Sequence, residues 1–185
     1  MTFYNIIFGV VFICSVFTFL AALADGSNLI ILLPQSILIF LMSFNDIINT
    51  SEAVETEKAD YNLPLKSLDS INFVLYMFVL FSIKPNNKIL NIDFSDFYSS
   101  ITTNRSKIFW ILVFIIFSVS FFWNFLIENK IFLKYNYYVI FFQFLSLFIF
   151  VLSVFSVDIK YFTIAFCALY FLFIVMKIAC PKFQD

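Results

Sequence analysis

Four stretches of this chain, residues 3–24, 26–45, 108–127 and 137–157, each run for twenty residues or more without a charged side chain. Twenty helical residues cover about 30 Å, the thickness of a bilayer's hydrocarbon core. A chain crossing that core must satisfy its backbone hydrogen bonds within itself, and a helix does so segment by segment. A fifth stretch, residues 161–176, is shorter but lies between Lys160 and Lys177, whose stems can snorkel to opposite interfaces. The expectation is an all-α, polytopic integral membrane protein with five transmembrane helices.

Composition agrees. The chain is 63% hydrophobic and 12% charged, whereas a soluble domain is usually about a quarter charged. A net charge of −1 leaves no basic stripe for nucleic acid and no polybasic tail for lipid headgroups.

The first two runs meet at "DGSN", where Asp25-Gly26 signals a turn, so residues 1–48 read as a helical hairpin. "ALA" before Asp25 mimics a cleavage site, but no Lys or Arg precedes it and the apolar region is too long for a signal peptide; it reads as the first transmembrane helix. Pro34 is expected to kink the second. Only "DIK" separates the last two runs, which demands a tight reversal around Asp158, because a single bent helix would overrun one bilayer. Residues 108–178 thus read as a three-helix bundle, with 179–185 a short tail.

Residues 49–107 form a polar connection around one apolar run, "SINFVLYMFVLFSI", 70–83. Fourteen residues cover about 21 Å as a helix, too little to span. Extension back to Leu63 supplies the length but draws in Pro64, Lys66 and Asp69, the last two at i, i+3 on one face. The segment is then a sixth, irregular span or a half-inserted interfacial helix. Upstream, Thr50 or Ser51 could cap a short helix with Glu52 and Glu55 in its first turn. Six of the Lys and Arg residues fall in 58–107, making that side the better candidate for the positive-inside face.

Absences narrow the chemistry. There is no histidine, the commonest haem and zinc ligand. Cys14, Cys167 and Cys180 make no C-x-x-C pair and read as small apolar packing residues. No cofactor, metal ligand or catalytic residue can be named. Ser118, Ser120, Asn124, Gln143, Ser146 and Ser153 are polar but not ionisable, the type that bonds helices together. Trp110, Trp123, Tyr137 and Tyr138 read as interfacial anchors. Two glycines among 185 residues and thirty phenylalanines suit bulky surfaces against lipid or other subunits rather than a hinged transporter.

A Phe-, Ile-, Asn- and Tyr-rich chain poor in Gly and Ala resembles the products of AT-rich genomes, those of protist mitochondria foremost and of AT-rich bacteria next. "FVLYMFVLFSI", 73–83, resembles the third helix of NADH dehydrogenase subunit six of complex I, with Val74, Leu75, Tyr76, Phe78 and Val79 matching its Val-Leu-aromatic-x-Phe-Val pattern. Leu68 and Ser70 stand where that family has an aromatic residue and a glycine, and three runs follow where it has two. The resemblance implies a non-catalytic subunit of a respiratory membrane arm in the mitochondrial inner membrane, with a structural or proton-coupling role. Its expected partners are the other subunits of a large complex and membrane lipids such as cardiolipin. Lys66 and Asp69 are the candidate proton-coupling residues. Alternatives are a supernumerary subunit of another respiratory complex or of ATP synthase, and a stand-alone transporter of a bacterial inner membrane. "DGSNLIILLPQSILIF", 25–40, more weakly resembles the first hairpin of proton-driven flagellar stator proteins.

Overall fold

The computed structural model describes residues 3–25, 29–51, 62–83, 105–126 and 130–179. They form six helices: α1 (Phe3–Asp25), α2 (Leu29–Ser51), α3 (Leu63–Ile83), α4 (Arg105–Leu126), α5 (Lys130–Val154) and α6 (Lys160–Ala179). No strand occurs among the described residues. Five segments, Leu32–Ser51, Leu63–Leu80, Ser106–Leu126, Asn136–Val154 and Lys160–Ala179, are long and apolar enough to cross a membrane. α1 has 23 residues, with a shorter, predominantly apolar segment at Ile6–Leu20. The chain is a helical integral membrane protein.

The run 70–83 is the greater part of a full-length helix. Asn62 caps it, its Oδ1 accepting from Leu65 N at 3.3 Å and its carbonyl from Lys66 N at 3.1 Å. Pro64 falls in the first turn, where a missing N–H costs nothing. Twenty-one residues rise about 32 Å, so the segment has spanning length.

Another expectation needs correction. Thr50 and Ser51 do not begin a new helix; they close α2, which runs six residues beyond Asn45. The Asp25-Gly26 turn, Glu52, Glu55 and Cys180 lie outside the described residues.

The reversal around Asp158 is present. Ser156 takes a left-handed φ of 59°, Val157 N donates to Leu152 O at 3.1 Å and Ser156 N to Ser153 O at 3.2 Å. Those two bonds are a Schellman ending, with serine where glycine is usual. Asp158 then starts α6, its Oδ1 accepting from Lys160 N at 3.2 Å and its Oδ2 meeting Lys160 Nζ at 2.8 Å. An aspartate beside the first helical N–H groups also suits the helix dipole.

Sequence neighbours α1 and α2 pack together, as do α4 and α5. α3 lies against α1 and α4, and α6 returns to α2 while barely touching α5 along its backbone. Rings bridge that gap. Phe142 of α5 lies 5.9 Å from Phe117 of α4 and 4.9 Å from Tyr170 of α6, and Trp110 of α4 lies 5.1 Å from Phe166 of α6. Each such pair contributes about 0.5–1.5 kcal/mol beyond simple burial. Trp110 and Trp123 are therefore inside the bundle rather than outward anchors, while Tyr137 is exposed. Tyr138 packs at a tilt against Phe173, ring centres 5.1 Å apart.

Small residues set few of these contacts. A methyl group at Gly9 would meet nothing within 4 Å, so no close crossing depends on it. Cys14 and Cys167 do pack as apolar residues, the latter buried. Outward faces stay apolar, with Ile13 and Phe17 on α1 and Phe141, Phe144 and Phe148 on α5 all exposed. A helix apolar all round belongs in lipid or among other helices.

Candidate functional site

Inside this apolar bundle the polar side chains gather between the C-terminal halves of α2, α4 and α6 and the N-terminal parts of α3 and α5. Helical period explains the gathering. Asn45, Asp46 and Asn49 share one face of α2; Asp69, Asn72 and Tyr76 recur at i, i+3 and i+7 on α3; Tyr170, Phe173 and Lys177 repeat that spacing on α6. Because α2 and α6 both run toward the same end, their polar faces meet α3 there.

Tyr76, fully buried, donates its hydroxyl to Asp46 Oδ2 at 2.6 Å, a length typical of a hydrogen bond to a carboxylate. Lys177 Nζ donates to Asn45 Oδ1 at 3.2 Å and also to Asn49 Oδ1. Lys177 is 5% exposed, so it does not snorkel: its stem turns inward, toward the amide oxygens that α2 offers one turn apart. On the far side, Asn124 Nδ2 donates to Asn136 Oδ1 at 3.1 Å, and Gln143 Nε2 to Ser118 Oγ at 2.7 Å, two bonds that tie α4 to α5. Ser146 and Ser153 instead bond carbonyls of their own helix.

Two small cavities open in this centre. Asp46, Asn49, Tyr76, Asn124, Tyr170 and Lys177 are among the residues around the first. The second lies between α2, α3 and α4 and is bounded by Asp46, Thr50, Asp69, Asn72, Ser120 and Asn124 with their neighbours. Asp69 is 2% exposed and Asn72 3%, and Asn72 Oδ1 accepts no hydrogen bond. A buried acceptor left so costs about 1–3 kcal/mol.

The two sequence candidates part company here. Asp69 faces the interior, whereas Lys66, three residues earlier, is exposed. The sequence puts Lys177 at a span end and marks neither Asp46 nor Asn45, Asn49 and Asn72 by charge-free length alone; the signal lies in their shared helical faces. Among the described residues no group of three or more His, Cys, Asp or Glu could hold a metal ion. The donors present are hard oxygens, an ammonium and a phenol, which suits proton or hard-cation chemistry rather than redox chemistry.

Comparisons with family models, with curated proteins and with solved structures give no match for this chain.

Proposed function

We propose that the chain is a non-catalytic integral membrane subunit whose polar centre couples proton movement to conformational change in a larger assembly. The observation that carries this is the Tyr76–Asp46 hydrogen bond inside an apolar bundle, with Asp69 and Lys177 in the same centre. An ionisable group costs about 2.5–3.5 kcal/mol at the centre of a membrane helix even on the mildest scales, and less toward its ends, so three of them turned inward on three facing helices argue for work performed there. A phenol bonded to a carboxylate is a donor and an acceptor set for proton transfer. The assembly that the Phe-rich composition and the 73–83 resemblance favour is a respiratory complex of the mitochondrial inner membrane, its membrane arm foremost. The outward apolar faces of α1 and α5 support placement among lipids and other helices.

Two measurements test this. On a native gel the chain should migrate with a large assembly; migration alone, with transport after reconstitution of the single chain, would favour a stand-alone transporter. Within the assembly, Asp46→Asn and Asp69→Asn should leave migration unchanged and lower proton pumping at least tenfold. Full pumping by both variants rules the coupling role out.

A further inference from the structure

We propose that the second cavity, between α2, α3 and α4, is a binding site for a monovalent hard cation, sodium being the first candidate. This takes the polar centre to be a working site, as above, and names a ligand for it. The cavity is small, with room for about one water-sized occupant. Oxygen surrounds it: the carboxylates of Asp46 and Asp69, the amide oxygen of Asn72, the hydroxyls of Thr50 and Ser120, and Asn124. Thr50, Asp69, Asn72 and Asn124 are all more than nine-tenths buried.

Bonding leaves several of these oxygens available. Tyr76 occupies Asp46 Oδ2, so Oδ1 of the same carboxylate remains for a ligand. Asn124 commits its Nδ2 to Asn136, which leaves its oxygen as the group for the cavity. Asn72 Oδ1 is buried yet has no hydrogen-bond partner. Amide oxygens only accept, and carboxylates do so when ionised; an occupant shared by them is then a donor or a cation. Hard oxygen ligands select alkali and alkaline-earth ions over softer metals. Lys177, bonded to Asn49 on the cavity's edge, places a positive charge close by. That charge disfavours a divalent ion and leaves a monovalent one.

The test is thermal unfolding of the full chain in detergent, in sodium, potassium and choline chloride at equal ionic strength. Sodium should raise Tm by several degrees over choline, and once sodium exceeds its Kd the shift should keep growing with the logarithm of its concentration, as linkage requires of a ligand bound to the folded state alone. Asn72→Leu removes an unsatisfied acceptor, so it should fold in choline at least as well as the natural chain yet lose most of the sodium shift. Equal Tm in all three salts, or a full sodium shift in Asn72→Leu, overturns the proposal. If the sodium shift is absent while Asp46→Asn and Asp69→Asn still abolish pumping, only the cation falls. If pumping survives both substitutions and sodium still shifts Tm, the cation site stands and the proton role falls.

Discussion

Tyr76 of α3 holds Asp46 of α2 through a 2.6 Å hydrogen bond, and both line the cavity that Lys177 of α6 also lines. Three helices that are not all sequence neighbours are thereby fixed to one polar centre. Tyr76→Phe should therefore act on more than one helix pair. It deletes a bond to a carboxylate, about 1.5–3 kcal/mol, while leaving the ring that packs edge-on against Phe8 at 6.4 Å. Reversible unfolding in detergent, compared with Asp46→Asn and the double variant, should show the two losses to be non-additive.

Lys177→Met keeps most of the stem's volume and removes the charge. It leaves the buried amide oxygen of Asn45 and the half-buried one of Asn49 without this donor. A loss of about 1–3 kcal/mol is expected, with a faster hydrogen exchange in the C-terminal turns of α2 and α6. A snorkelling lysine would be replaced at almost no cost.

Trp110 offers a contrast within one side chain. Its ring packs at 5.1 Å against both Phe109 and Phe166, but its indole N–H makes no hydrogen bond. Trp110→Phe should cost little, whereas Trp110→Ala should cost roughly 3 kcal/mol through the void it leaves between α4 and α6. Denaturation midpoints of the two variants check this.

Gly9→Ala should stabilise α1. The added methyl meets no atom within 4 Å, and an interior glycine costs a helix about 0.5–1 kcal/mol relative to alanine. An increase in Tm is expected; a decrease would mean that α1 is approached closely at Gly9 by another chain.

Acid should loosen the start of α6. The Asp158 carboxyl is held below its ordinary range, first by the hydrogen bond from the Lys160 side chain and then by the Lys160 N–H. A depressed carboxyl stabilises the fold above its unfolded value, about 3.9, and that contribution is lost as pH falls through the lower folded value. The pair is exposed, so the effect is small and local. Amide exchange at Lys160, corrected for its intrinsic rate, should be flat near neutrality and accelerate in acid; Asp158→Asn should remove the acid dependence.

Much of the fold was legible in the sequence because lipid permits few solutions. Long uncharged runs in a chain of 63% hydrophobic residues must be helices, and "DIK" forced the turn that Ser156 and Asp158 make. The segment 70–83 was harder, because its charge-free part is too short to span. Asn62 and Pro64 extend it to Leu63 by satisfying or dispensing with the first N–H groups. The polar centre was only half visible. Asp69 drew notice as a charge beside an apolar run, but uncharged Asn45, Asn49 and Asn72 leave no mark in a search for charges. Lys177 misled for a physical reason: a lysine at a helix end can reach water or turn inward, and only the amide oxygens of a helix 128 residues earlier in the chain decide which. Partner choice of that kind is set by tertiary packing, which also turned Trp110 and Trp123 inward.

The most direct test of the polar centre as a proton-handling site is infrared spectroscopy of the full chain in lipid, recorded as a difference between two pH values. A carboxylic C=O band that titrates, shifts in deuterium oxide and disappears in Asp46→Asn is the predicted result. A difference spectrum in that region identical for the natural chain, Asp46→Asn and Asp69→Asn would contradict the account.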